Sequence, residues 1–192
     1  QINTKPTNPR PLIRQLAITE TVVLNFYMKK LTNQEFKNIK YQLPSLRKLI
    51  EDENDDYDII FISVFDHWLT ENEFNKEIHE IDKKEITDRR RKLENLISEL
   101  YDLTPTYLWK YKKQNRFYIY SVNSKNHLLK RCDIKNQTGE SGKRYDIILP
   151  EFRAVYSEEW DWTNIIRFKE RDKIEPLLNL AKEIGLNVLE KN

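Results

Sequence analysis

Cysteine, glycine and histidine are scarce in this sequence, and each shortage excludes a class of functional site. Cys132 is the only cysteine, which rules out an intrachain disulfide framework and a cysteine-based zinc site. Three glycines leave no GxGxxG or GxxxxGK[ST] loop to cradle a phosphate group. Three histidines offer little for a histidine-based metal centre. We therefore predict no cofactor.

Long apolar runs are missing as well. The longest apolar-rich run, residues 59–65, falls far short of the roughly 20 residues that a membrane-spanning helix needs. The first residues, QINTKPTNPRP, contain no apolar core of a signal peptide. Charged residues make up 33% of the 192 residues, and the mean hydropathy is -0.78. This composition predicts a cytoplasmic protein, and the length fits one domain.

The net charge of +2 conceals a strong segregation of charge along the chain. Residues 51–104 carry 17 acidic and 7 basic side chains, a net charge of -10. Residues 110–144 carry 10 basic and 2 acidic side chains, a net charge of +8, and residues 28–50 have a net charge of +5. Either these segments neutralise one another within the fold, or the basic segment forms a surface patch for an anionic partner.

The order of helical and strand patterns predicts an α+β fold. Thr32 and Glu35 form a capping box ahead of an amphipathic helix that Pro44 should kink. Further helices are predicted at 82–101 and at 172–184, the latter followed by Gly185 as a C-terminal cap. Strand patterns lie at 57–65, 107–111, 116–122, 145–149, 152–156 and 163–168. Because the elements cluster, we expect an antiparallel or mixed sheet, built from the second half, packed against two or three helices.

The N-terminal residues differ from the rest. Pro6, Pro9 and Pro11 predict an extended arm over residues 1–19, ahead of a single α+β domain over residues 20–192. Met28, the only methionine, offers a start site. Residues 1–27 are therefore either an upstream extension or native sequence that contains a strand at 21–27.

Candidate catalytic and metal-binding groups are few. Asp66 and His67 have the composition of an acid–base dyad, but neighbours on a strand point to opposite faces, so we do not expect them to bond. The residues around His79 and the acidic run 51–58 lack the spacing of zinc and calcium sites. A metal-dependent nuclease is a third alternative, because Asp146, Glu151 and Arg153 partly match a D…E-x-K arrangement. We predict no catalytic residues and no metal ligands.

A basic and aromatic block supplies a candidate nucleic-acid interface. Basic side chains neutralise phosphates, and aromatic rings stack on unpaired bases. Cations and aromatic rings alternate along the block, which would place the charge on one face of a strand, although any half-buried antiparallel strand shows the same alternation. The candidate nucleic-acid-binding residues are Trp109, Lys110, Lys112, Lys113, Arg116, Lys130 and Arg131.

An acidic segment with two tryptophans supplies a candidate protein interface. Exposed tryptophans are enriched at the energetic centres of protein–protein contacts. The alternative is that both tryptophans lie on one face and cap the core. The candidate protein-binding residues are Glu158, Glu159, Trp160, Asp161 and Trp162.

Residues 145–190 run through two strands, the helical segment RDKIEPLL and the segment GLNVL. This layout resembles small uncharacterised bacterial α+β proteins, some of which act as toxin-neutralising immunity proteins. The resemblance implies a non-enzymatic protein-binding module in a bacterial cell, with an immunity or inhibitor protein as its narrower form. Immunity proteins against nucleases are often strongly acidic, so the net charge of +2 argues against a nuclease target. A nucleic-acid-binding protein is the alternative function. Partner and oligomeric state stay open.

Overall fold

The computed structural model describes residues 28–51, 56–112, 116–132, 145–159 and 161–191. The predicted N-terminal arm and the strand at 21–27 lie outside these residues. The strands of the described part are β1 (Met28–Lys30), β2 (Asp58–Ser63), β3 (Tyr107–Lys112), β4 (Arg116–Val122), β5 (Asp146–Leu149), β6 (Ala154–Ser157), β7 (Thr163–Phe168) and β8 (Asn187–Glu190). Its α-helices are α1 (Asn33–Gln42), α2 (Leu46–Ile50), α3 (Glu71–Phe74), α4 (Lys83–Leu103), α5 (Lys125–Arg131) and α6 (Arg171–Glu183).

All eight strands form one antiparallel sheet in the order β1-β4-β3-β5-β6-β7-β2-β8. The α+β class is thereby confirmed. The second half, from which the sheet was expected, supplies β3 to β8, and β1 and β2 from the first half join them. β2 lies between β7 and β8, where Ser63 faces Thr163 across 100 residues of sequence. No local pattern marks such a distant pairing.

The helix ends follow the local signals in the sequence. The Thr32 hydroxyl accepts a hydrogen bond from the Glu35 backbone, and the Glu35 carboxylate accepts one from the Thr32 backbone. α1 ends before Pro44, and α2 begins beyond it, as expected for a proline break. Gly185 follows α6 with a φ of 82°, a left-handed conformation that glycine adopts without strain. α5 was not predicted because it is short and mostly polar.

Helices pack on both faces of the sheet. On one face of the sheet, which we call the covered face, α4, α5 and α6 bury a large core that includes Ile60, Ile62, Leu96, Tyr156 and Leu177. On the opposite face, α1 and α2 bury a smaller core, to which the sheet contributes side chains such as Ile119, Ile148 and Val155. No helix among the described residues is long and apolar enough to cross a membrane.

Candidate functional site

The face under α1 and α2 is only half covered. Its core takes side chains from β3, β4, β5 and β6, and within the described residues none from β7, β2 or β8. The β2 side chains show the difference: Ile60 and Ile62 on the covered face are buried, whereas Ile59 and Phe61 on the other face are half-buried, although Ser63 at the end of the strand is buried. We call the β7-β2-β8 part of this face the open half-face. An exposed apolar patch often marks an interaction site, because a partner that covers the patch removes its apolar surface from water.

A groove of about 320 Å³ lies on the open half-face. Phe61, Ile165 and Leu189 come from the three neighbouring strands and share one row of the sheet. Phe65, Leu69 and Phe74 extend the apolar lining beyond the end of β2, and Glu159 and Asp161 also line the groove. Glu159 Oε1 lies 4.0 Å from the guanidinium of Arg167. The groove is therefore apolar with acidic groups beside it.

Trp68 is the large exposed side chain of this groove. Its ring meets Phe61 edge to face at 4.7 Å, and its indole N–H donates a hydrogen bond to the Glu190 carbonyl at 3.2 Å. Those contacts fix the ring while 40% of the residue stays accessible to solvent. Sequence reasoning missed Trp68, although a signal was present: Thr70 and Glu73 form a second capping box, which places Trp68 in the short segment between strand and helix.

Asp66 and His67 do bond, so the expectation that they would not is wrong. β2 ends at Ser63, and beyond it the chain is no longer a strand, so the opposite-face argument does not apply. His67 Nδ1 lies 2.6 Å from Asp66 Oδ1, and its Nε2 lies 3.2 Å from Glu73 Oε1. A neutral imidazole carries one N–H, so two carboxylate acceptors favour the imidazolium. This bridge ties the segment that carries Trp68 to the start of α3.

The bridge makes a testable prediction about titration. Hydrogen bonds from His67 to Asp66 and to Glu73 raise the pKa of His67 above 6.5. Hydrogen bonds from Thr70, and then from His67, lower the pKa of Glu73 to about 2. The contribution of His67 to stability is therefore present at low pH and lost as the pH rises through its folded pKa, whereas that of Glu73 is lost only in strong acid.

We expect a proton NMR titration to give His67 a pKa above 6.5, and Glu73→Gln to lower it. Glutamine keeps the capping hydrogen bonds and removes only the charge, so the helix start stays intact. A His67 titration that Glu73→Gln leaves unchanged would contradict the bridge.

A polar cleft of about 670 Å³ lies beside the groove and shares Phe65, His67 and Leu69 with it. Its centre is Arg89, which is 5% exposed. The Arg89 guanidinium donates to the Glu77 carbonyl, the Glu77 carboxylate and the Glu85 carboxylate, each at 2.7 Å, and stacks over the Phe65 ring. Since these contacts occupy the guanidinium, Arg89 is a structural anchor of the segment rather than a group ready to bind substrate.

The structure places the predicted protein-binding residues unevenly. Trp162 is fully buried in the large core, which agrees with the core-capping alternative for this one residue, and Glu158 is also buried. Two consecutive residues with positive φ, Asp161 at 63° and Trp162 at 61°, turn the chain inward here. Glu159 and Asp161 line the groove, and burial raises the pKa of Asp161. Trp160 lies outside the described residues.

The candidate nucleic-acid-binding residues are split between the two faces of the β3–β4 hairpin. Trp109 belongs to the smaller core, stacks on Phe117 and donates a hydrogen bond to Asp146, so it is not a stacking surface for bases. Lys110 lies on the opposite face over Tyr120. Lys130 and Arg131 are exposed on α5. Lys112 pairs in register with Arg116, and Lys113 lies outside the described residues.

The residues considered for a metal-dependent nuclease do not come together. Asp146 begins β5 and accepts hydrogen bonds from Trp109 and Ser157, whereas Glu151 lies beyond the other end of that strand. Arg153 pairs with Glu170 instead of facing Asp146. In the part of the chain that the structure describes, no group of three histidine, cysteine, aspartate or glutamate side chains is arranged to hold a metal ion. Burial raises the pKa of the Cys132 thiol, which disfavours the thiolate nucleophile.

Comparisons with known proteins give no further guide to the site. No protein-family profile matches the chain, and no curated protein or solved structure is significantly similar to it. The resemblance of residues 145–190 to immunity-type proteins therefore stays a prediction. The candidate site rests on its own geometry: an apolar groove on the open half-face, with a fixed and exposed Trp68 beside two carboxylates.

Proposed function

We propose that this protein is a non-enzymatic protein-binding module that captures an apolar, positively charged segment of a partner in the groove beside Trp68. The observation that carries the proposal is Trp68 itself, held against Phe61 and Glu190 yet 40% exposed. A preordered tryptophan loses little conformational entropy on binding, and tryptophan is among the residues most enriched at interface hot spots.

The charge of the partner follows from Asp161. Glu159 and Asp161 both line the groove, but Glu159 already lies 4.0 Å from the Arg167 guanidinium. Burial makes the ionised form of Asp161 less favourable than in water. A lysine or arginine of the partner placed beside Asp161 would offset that cost. A partner segment with leucine-like and aromatic side chains next to basic ones therefore fits better than an acidic one. The immunity or inhibitor role, and the cytoplasmic location, remain predictions within this proposal.

Selection of peptides from a random display library on the purified chain tests this proposal. We expect the recovered peptides to combine apolar and basic residues, and their binding to shift the backbone NMR signals of β2, β7 and β8. Trp68→Ala should weaken the binding of a labelled peptide by tenfold or more, because Trp68 is the large apolar side chain of the groove lining that is exposed. The weakening should persist at high salt.

Two further variants make the result specific. Tyr41→Ala removes an aromatic ring that is 75% exposed on α1, on the other half of the same face, and should leave affinity unchanged. Asp161→Asn keeps the shape of the side chain, and asparagine tolerates the left-handed backbone of this position. A loss of affinity for basic peptides would therefore result from the removal of the negative charge alone. Recovery of acidic peptides, or peptides that bind Trp68→Ala as well as the parent, would overturn the proposal.

A further inference from the structure

The fold brings together two basic segments that are separate in the sequence. Residues 28–50, with a net charge of +5, contribute β1, which pairs with β4 of the segment 110–144, whose net charge is +8. α1 and α2, from the same N-terminal segment, pack over Phe117 and Ile119 of β4. The β1-β4-β3 end of the sheet therefore collects positive charge, at the opposite end from the groove beside Trp68.

Cations surround one tyrosine at this end. Lys30 is the cross-strand neighbour of Tyr120, and Lys110 Nζ lies 5.4 Å from the centre of the Tyr120 ring. Arg131 of α5 is close enough for its positive charge to oppose the increase that burial causes in the pKa of Tyr120. Three cations from a strand, a neighbouring strand and a helix thus converge on the covered face, just beyond the large core.

An aromatic ring lies in the same group. Tyr118 pairs in register with Lys110 and lies two residues from Tyr120, so it shares their face of the sheet. Unlike Tyr120, which is buried, Tyr118 is half-buried. The same register pairs Lys112 with Arg116, which adds two basic residues toward the end of the β3–β4 hairpin. We call Lys30, Lys110, Tyr118, Tyr120 and Arg131 the cationic face.

Several carboxylates of the acidic segment pair within that segment. Glu77 and Glu85 bind Arg89, and Asp88 binds Arg91, all inside residues 51–104. Two of the described ion pairs link the acidic segment to the basic ones: Lys125 at the start of α5 pairs with Asp102, and Arg47 of α2 pairs with Glu51. The net charges of +5 and +8 exceed what these two pairs neutralise, which favours a positive surface at the β1-β4-β3 end.

We propose that the cationic face binds single-stranded nucleic acid, a function separate from the groove beside Trp68. Cations clustered on one surface attract the phosphate backbone and release its counterions. A tyrosine ring between them offers a stacking surface to an unpaired base, which a duplex keeps inside its own stack. The cations alone would suit any polyanion. Stacking on Tyr118 requires an unpaired base, so we expect a single strand to bind more tightly than a duplex.

Fluorescence anisotropy with a labelled twelve-nucleotide oligothymidylate and the full chain tests the proposal. With about three phosphates neutralised, and a slope near -0.7 per phosphate for single strands, raising NaCl from 50 to 200 mM should weaken binding by about 20-fold. Lys110→Glu should weaken binding by more than tenfold and flatten the salt dependence. Tyr118→Ala should weaken it by fivefold or more with the salt dependence retained.

The matched control is Lys173→Glu on α6, which makes the same change in net charge on an exposed residue outside the cationic face. We expect it to change affinity by less than twofold, and circular dichroism to show each variant folded. Absence of binding at 50 mM NaCl, or an equal loss with Lys173→Glu, would overturn the proposal. So would tighter binding to a duplex or to anionic lipid vesicles than to the oligonucleotide. Trp68→Ala should leave the anisotropy unchanged, so the two proposals fail independently.

Discussion

Trp162→Ala should lower the free energy of unfolding by about 3–5 kcal/mol, as measured by urea denaturation. Trp162 is fully buried in the large core, and its backbone carbonyl accepts a hydrogen bond from Val64 at the end of β2. Truncation would leave a cavity that a close-packed core refills only in part. A loss of stability of this size would identify Trp162 as a core residue and not as a residue that contacts a partner.

Two variants calibrate that result. Trp162→Phe should cost much less than Trp162→Ala, because within the described residues the indole N–H has no acceptor to lose. Tyr41→Ala, on the surface of α1, should change the free energy of unfolding by no more than about 0.5 kcal/mol. A loss below about 1 kcal/mol for Trp162→Ala would show that the ring is not packed as described.

Arg89→Ala is the second substitution with a large expected cost, about 2–3 kcal/mol in the free energy of unfolding. It removes three hydrogen bonds from a guanidinium that links α4 to the turn after α3, together with the contact to Phe65. The cost falls below the 3–5 kcal/mol seen for fully buried pairs because the Glu77 and Glu85 carboxylates are each more than a third exposed, and water can replace the arginine.

Arg91→Ala is the matched control on the same helix. Arg91 is mostly exposed and pairs only with Asp88 at i–3 among the described ion pairs, so its loss should cost no more than about 0.5 kcal/mol. Chemical denaturation of both variants measures the difference directly. Equal costs for the two arginines would mean that the network around Arg89 does not hold the segment after β2. Arg89→Lys should fall between the two, because it keeps the charge without the planar fork.

The sequence predicted the elements better than their arrangement. The capping box at Thr32, the break at Pro44 and the helix over 82–101 depend on residues within a few positions of one another, and all three were found. The place of β2 between β7 and β8 depends on contacts across about 100 residues, which no local pattern records. The same is true of β1, because its three residues form a strand by pairing with the distant β4.

The candidate site was harder to predict, for two physical reasons. The spacing of Trp160 and Trp162 left open whether the rings contact a partner or cap the core. Left-handed backbone at Asp161 and Trp162, which the sequence does not reveal, turns Trp162 inward. The capping box at Thr70 and Glu73 locates Trp68 between a strand and a helix, but the exposure of its ring depends on what covers it, which the topology decides. Alternation in the basic block did predict one point: Lys110 and Trp109 lie on opposite faces of β3.

The position of β2 also has a consequence for synthesis on the ribosome. Its apolar residues leave the ribosome long before β7 and β8 exist, since Ser63 and Thr163 are 100 residues apart. At about 5–20 residues per second, β2 waits roughly 5–20 s for its neighbours. During that interval both edges of β2 lack their strands, so the nascent chain passes through a state that is prone to mispairing and suited to chaperone capture. The high proportion of distant pairings also predicts slow refolding of the full-length chain.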